Sequence, residues 1–333
     1  MEYKFNKYKA ISYIINAIAA MVIFFVIEHL FILKLINRYY QGIIKLVCIN
    51  VILAVSLNLT TGVLGELTLG HAGFMAIGAY VSAIFVKLVS EANIMIPEAA
   101  FPIGILFGGL SAALFGIIIG MPTLRLKGDY LAIITLGFGE IIRVIITNLQ
   151  ITGGARGLSR IPRVTTFPYS YFIMVATIVF MFTFGLSRHG RAIRAIRDDA
   201  IAAESSGIPT TFYKVLAFCL AAFFAGVAGA LYAHHIGTLD PKTFGFNKSI
   251  EILVMVVLGG MGSITGSTLS AIVLTLLPEL LRDFSEYRML VYSIVLVLMM
   301  IFRPKGLLGT GEISLSALIL KPFKISEQRS VKN

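Results

Sequence analysis

Of the 333 residues, 57% are hydrophobic and only 14% are charged, where a soluble domain would be about a quarter charged. That balance excludes an ordinary soluble fold, and apolar runs of about 20 residues recur, each enough to cross a ~30 Å hydrocarbon layer as a helix. The net charge of +11 is not a nucleic-acid signal, because the basic residues sit largely in loops and at the termini, where they set topology and meet lipid headgroups. The expected fold is an all-α polytopic membrane protein of about eight to nine spans.

In chain order, Lys4, Lys7 and Lys9 precede an apolar run that continues to Ile27 without a convincing cleavage site. It reads as a retained first helix, Ala10–Ile27. Further spans are predicted at Gly42–Leu59, Leu67–Val89, Phe101–Gly120, Tyr130–Asn148, Tyr169–Leu186 and Tyr213–His234. A long apolar region, Ile250–Leu281, follows, and a last span covers Leu290–Phe302. Tryptophan is absent, so interfacial anchoring falls to tyrosines such as Tyr39, Tyr40, Tyr169, Tyr171 and Tyr287. Cys48 and Cys219 lie inside predicted spans without metal-ligand spacing and read as packing residues.

Ser187–Pro209 interrupts this pattern with Arg188, Arg191, Arg194 and Arg197 beside Asp198, Asp199 and Glu204. The positive-inside rule puts such a cluster on the cytoplasmic face. Ile193, Ile196, Ala200 and Ala203 recur at a 3-4-3 spacing, an apolar stripe on one charged helix, and Gly207 with Pro209 stops that helix. An amphipathic helix between two spans suits docking of a cytoplasmic partner; a solvated loop is the alternative reading.

With the N-terminus inside, Arg125, Lys127 and the 187–209 cluster all fall inside. Arg303 and Lys305 join them only if Ile250–Leu281 leaves and returns on one side. Its middle, LGGMGSITGS, carries glycines that break a helix, so two half-helices meeting there, one re-entrant, satisfy both length and charge. Irregular backbone at membrane depth must be buried in protein or line a cavity, which makes Gly259, Gly260 and Gly262 candidates for the translocation path; close helix packing is the alternative. The same parity puts Ile151–Pro168 outside although it carries Arg156, Arg160 and Arg163. Either the parity is wrong by one span, or these arginines have a task that outweighs the topological bias.

A phosphate-cradling G-x-x-x-x-G-K-[ST] loop is missing, as is H-E-x-x-H, and the five histidines are scattered. The chain is therefore expected to be non-catalytic. Ionisable residues inside spans cost about 2.5–3.5 kcal/mol each on insertion scales. Glu140 and Arg143, one helical turn apart, are either a polar spot on a translocation path or an ion pair pinning the helix to its neighbours, and the second reading is preferred. Glu66 and His71 sit among Gly62, Gly65, Gly70, Gly73 and Gly78. Such a stretch is either an unwound pore-lining element or a packing face of small residues.

Three blocks then carry a family resemblance: LNLTTGVLGELTLGHAGFMAIGAY (57–80), LRLKGDYLAIITLGFGEIIRVIITN (124–148) with the following TGGARGL, and the long run from GRAIRAIRDDAIAAESSGIP at 190 to LDP at 241. It continues through ILVMVVLGGMGSITGS and closes at RPKGLLG. Over about Val47 to Gly309 the chain resembles the membrane-spanning subunits of branched-chain amino-acid ABC importers, specifically the LivM branch. The resemblance implies a LivH-type sister permease, two ABC ATPase subunits that bind ATP and Mg, and an extracytoplasmic substrate-binding protein, with no cofactor in this chain. In such an importer Arg156, Arg160 and Arg163 are candidates for docking the binding protein, because complementary surface charge speeds encounter and fixes orientation; binding to lipid headgroups or loop carbonyls is the alternative.

It also implies that the 187–209 helix enters a groove of an ATPase, with Arg191, Ile193, Arg194, Ile196, Arg197, Ala200, Ala203 and Gly207 as the coupling residues. The general permease pattern E-A-A-x-x-x-G reads here Ile201-Ala202-Ala203-x-x-x-Gly207, with Ile for Glu. The family usually has Gln where this chain has Glu66. The expected organisation is one permease domain over 1–309 and a tail over 310–333, multi-pass in the plasma or inner membrane, with both termini cytoplasmic. The expected function is import of branched-chain amino acids. A related urea, amide or other amino-acid importer remains open, and a stand-alone secondary transporter, which could also use broken helices, is a second class of answer.

Overall fold

The computed structural model describes residues 2–126 (backbone alone for 2–15), 128–281, 293, 294, 297, 301, 306–309, 311 and 312. The chain divides into two compact units, residues 42–310 and the terminal segments 1–41 with 311–333. In the terminal unit, α1 (Glu2–Ile32) is longer than the predicted first span. It exposes Ile18, Met21, Val22, Ile23 and Phe25, an apolar surface suited to lipid.

The larger unit is built from α2 (Arg38–Asn58) from Gly42 onward, α3 (His71–Glu91), α4 (Pro97–Thr123), α5 (Asp129–Asn148), α6 (Phe167–Leu186), α7 (Arg188–Asp198), α8 (Ala200–Ser205), α9 (Thr210–Ile236), α10 (Phe246–Gly259) and α11 (Ile264–Leu280). Among the described residues, six helices are long and apolar enough to cross a membrane. They are α2 extended by a π-helical turn to Val63, then α3, α4, α5, α6 and α9. Each matches a predicted span within a few residues, and the chain is a polytopic helical membrane protein. The expected span at Leu290–Phe302 falls almost wholly outside the described residues, as do Lys127, Arg303 and Lys305.

Small residues set the packing, as they must where lipid removes the hydrophobic drive between helices. A β-carbon at Gly78 on α3 would lie 2.1 Å from the Gly226 carbonyl oxygen on α9, and one at Gly226 would lie 2.6 Å from the Gly108 oxygen on α4. These three helices therefore touch backbone to backbone. On the same seam, Ser82 faces His234 at 3.3 Å, while the other ring nitrogen of His234 meets the Pro162 carbonyl at 2.9 Å.

The apolar region after α9 is a helical hairpin. Gly259 on α10 abuts Gly266 on α11, and Ser270 Oγ donates to the Met255 carbonyl, so the two helices run antiparallel. Gly260 (φ 108°) and Gly262 (φ 92°) turn the chain in the left-handed region that glycine adopts without penalty. Ser263 Oγ then caps α11, accepting from Gly266 N at 3.0 Å. The glycines thus break the helix and let its halves pack closely.

Replacing Gly226 by Val should prevent three helices from closing, with a lower melting temperature or no recoverable folded protein in detergent. Gly137→Ala on α5, where a β-carbon would meet nothing within 4 Å, should melt at or above the parent. Equal melting of the two variants would contradict this packing account.

Candidate coupling and translocation site

Three segments outside the α-helices meet at one end of the bundle. The first follows α2: a π-helical turn at Leu59–Val63, then backbone outside any helix until α3 starts at His71, later than the predicted span start at Leu67. The second is the turn between α10 and α11, and the third is 306–309. Asn58 Oδ1 accepts from Gly262 N at 2.8 Å. Leu307 N and Leu308 N donate to the Leu258 and Gly259 carbonyls at 2.7 and 3.3 Å, completing the C-terminus of α10. Gly62 is confined where they meet: its β-carbon would lie 2.0 Å from Asn58 Oδ1 and 2.2 Å from Gly262 N. Of the glycines proposed for the path, Gly259 and Gly260 are buried, and Gly260 faces the Gly309 backbone.

Glu66 lies on the first of these segments and pairs with Lys214 at the start of α9, Nζ to Oε1 at 2.5 Å, with 14% and 12% of the two side chains exposed. His71 is buried, its Nε2 2.9 Å from Ser56 Oγ. These two residues therefore sit within the packing of α2, α3 and α9.

The 187–209 segment is not one helix. It breaks at Asp199, which is extended (φ −156°, ψ 108°) and caps α8 by accepting from Ile201 N and Ala202 N at 2.9 and 3.0 Å. A short acidic side chain competes for backbone donors in this way, and Asp199 was the available signal. The apolar stripe also faces inward: Ile193, Ile196 and Ala203 are 0%, 4% and 5% exposed within this chain alone, and Ala200 is partly buried. The stripe is therefore not free to receive a partner. Gly207 (φ 81°) follows α8 as expected.

The arginines of the segment reach back to the membrane helices. Arg191 Nη1 donates to the Leu186 carbonyl at 3.0 Å, and Arg194 Nη2 donates to that of Gly185, so both satisfy the C-terminus of α6. Arg197 Nη1 donates to the Gly62 carbonyl at 3.0 Å. Its alkyl chain lies against Gly65, where a β-carbon would be 2.5 Å from Cγ. One arginine thus joins the charged segment to the π-helical turn beside the hairpin. Ile201, by contrast, is 75% exposed.

A second polar group lies deeper. Arg143 Nε donates to Glu140 Oε2 at 2.7 Å, the ion pair expected from their spacing. Glu140 Oε1 also accepts from Phe246 N at 3.0 Å, capping α10. Lys248 Nζ lies 3.1 Å from Glu251 Oε2 and 3.4 Å from Asn50 Oδ1 on α2, and Asn50 Nδ2 donates to Thr275 Oγ1 at 2.9 Å. The sequence reading missed Asn50, Asn58, Lys214, Lys248 and Glu251. The available signal was a charge or amide within an apolar helix.

At the opposite end, Arg156, Arg160 and Arg163 are exposed on the loop before α6. The loop is fixed to the end of α9 by an isolated bridge between Leu158 and Leu239 and by Ile161 N donating to the Gly237 carbonyl at 3.1 Å. Arg163 lies over Gly237, and Arg160 adopts φ 60°.

Long apolar helices interrupted by mutually satisfied breaks define a polytopic helical membrane protein. The chain belongs to the branched-chain amino acid transport system / permease component family, whose model matches residues 39–302. It is 38% identical over 309 residues to the high-affinity branched-chain amino acid transport system permease protein LivM of Escherichia coli (strain K12), covering 82% of this chain and 71% of that protein. It is also 25% identical over 287 residues to LivH of Salmonella typhimurium, covering 79% and 92%. A probable LivM of Methanocaldococcus jannaschii is 24% identical over 267 residues, covering 70% and 77%. No solved structure matches the chain.

The Glu66–Lys214 pair makes a testable case. Lys214→Met should cost about 3 kcal/mol, because it strands a mostly buried carboxylate, and adding Glu66→Gln should restore most of the loss. Unfolding in detergent measures both, and equal stability of the single and double variants would contradict the pairing.

Proposed function

We propose that the chain is a non-catalytic translocation subunit of an ATP-driven importer for branched-chain amino acids. In this reading it works beside a LivH-type sister permease, receives substrate from an extracytoplasmic binding protein, and is driven by two ATPase subunits that hold the nucleotide and Mg. Likeness to both LivM and LivH proteins supports membership of a paired-permease system.

The observation that carries the coupling role is the combination in α7 and α8 of an inward stripe, arginines tied to span ends, and an exposed Ile201. Burying the Ile201 side chain in a partner's groove would contribute about 1.5–3 kcal/mol. The docking surface is then the outer side of α8, including Ile201, while Ile193 and Ile196 hold the segment to its own permease. Motion imposed on α7 and α8 passes through Arg197 to Gly62 and the hairpin turn.

Ile201→Asp tests this without disturbing the buried stripe. Retention of the ATPases and binding-protein-stimulated ATP hydrolysis should fall roughly tenfold, the effect of about 1.4 kcal/mol at an interface, while the isolated permease melts as the parent does. Unchanged retention and hydrolysis would remove α8 from the coupling surface. Ile196→Asp could not serve, because a charge placed there would be buried within this chain.

A further inference from the structure

Lys248, on the first turn of α10, reaches across to α2. Its Nζ lies 3.4 Å from Asn50 Oδ1 and 3.1 Å from Glu251 Oε2, and Asn50 Nδ2 donates to Thr275 Oγ1 on α11 at 2.9 Å. Asn50 and Thr275 are both buried, so a fixed amide holds the ammonium group from behind. Asn50 lies near the middle of the 26-residue Arg38–Val63 span, which puts the Lys248–Glu251 ion pair at a depth where charge is costly against hydrocarbon.

The pair is closed on one side and open on the other. Only 12% of the Lys248 side chain is exposed, against 40% of that of Glu251, and Glu251 Oε1 has no partner among the described residues. Lys248 has three N–H donors, of which Asn50 and Glu251 occupy two. Glu251 shares the half-exposed face of α10 with Ile250 and Val254. Tyr232 on α9, its ring 6.0 Å from that of Phe244, is close enough to feel the Glu251 charge. The carboxylate therefore stands between polar groups of two neighbouring helices. An open charge at this depth belongs where water or a polar solute reaches it.

A positive and a negative group held side by side select a ligand by its charge pattern. A simple cation or anion is attracted by one member and repelled by the other, whereas a dipole of similar spacing laid antiparallel is attracted by both. The zwitterion of an α-amino acid carries its ammonium and carboxylate groups on one carbon, similarly close together. Ile250 and Val254 offer apolar contact to an aliphatic side chain beside it.

We propose that the Lys248–Glu251 pair, steadied by Asn50, binds the head group of an amino-acid zwitterion in transit, the ammonium on Glu251 Oε1 and the carboxylate at Lys248 Nζ. This rests on the import function proposed above and adds to it a site within this chain. Binding is reversible and neither makes nor breaks a covalent bond.

The test uses the assembled importer in proteoliposomes, with its binding protein and labelled leucine. Glu251→Gln should lower uptake per assembled complex roughly tenfold or more, the effect of losing a charged hydrogen bond, and Glu251→Asp should recover part of it. The yield and melting temperature of both complexes should match the parent. Glu251→Cys complexes should react several-fold faster than parent complexes with a small water-soluble methanethiosulfonate reagent, and saturating leucine with binding protein should slow that reaction. Uptake of Glu251→Gln within twofold of the parent overturns the site. So does a Glu251→Cys complex that stays unlabelled both at rest and during ATP turnover, which would make the pair a contact with lipid or the sister permease. A parent complex that imports another solute instead of leucine defeats the proposed function, so the two failures are distinguishable.

Discussion

Backbone that leaves the helix inside a bilayer has to find its hydrogen-bond partners within the protein, and one end of this bundle is organised by that constraint. The segment after α2, the α10–α11 turn and residues 306–309 would each be costly alone. Together they supply one another: Asn58 Oδ1 accepts from Gly262 N, Leu307 N and Leu308 N complete α10, and Arg197 Nη1 donates to the Gly62 carbonyl. Each broken element needs the others in place.

The same constraint gives the charged segment its structural role. Topological bias explains why arginines gather between α6 and α9, and three of them also donate to carbonyls at helix ends or breaks. A charge-assisted hydrogen bond of this kind contributes about 1.5–3 kcal/mol. The segment is consequently attached to the end of α6 and to the π-helical turn, while its apolar stripe packs inward. Displacing it must strain or release the Arg197–Gly62 contact. That gives a direct mechanical route from a surface helix pair to irregular backbone within the spans.

Much of the architecture was legible because hydropathy and glycine act locally. The spans of α2 to α6 and α9 follow from runs of apolar residues, and the hairpin follows from glycines in a region too long for one crossing. The Glu140–Arg143 pair followed from a one-turn spacing. Less legible were features set by tertiary partners. Periodicity located the stripe of Ile193 and Ile196 but could not say whether it faces a partner or its own chain. Asp199 broke a helix that the apolar spacing ran through. The contacts of Glu66 with Lys214, Lys248 with Asn50, and Arg197 with Gly62 span 148, 198 and 135 residues of sequence, beyond the reach of any local pattern.

Arg197 is placed to pass movement of the charged helix pair to the broken segments through the Gly62 carbonyl. The most direct measurement is the number of leucine molecules imported per ATP hydrolysed by the reconstituted complex carrying Arg197→Gln. The account predicts a complex that assembles and hydrolyses ATP but imports several-fold less leucine for each ATP consumed, because a neutral amide loses both the reach and the charge of the contact. An unchanged ratio of leucine to ATP in the intact complex would contradict it.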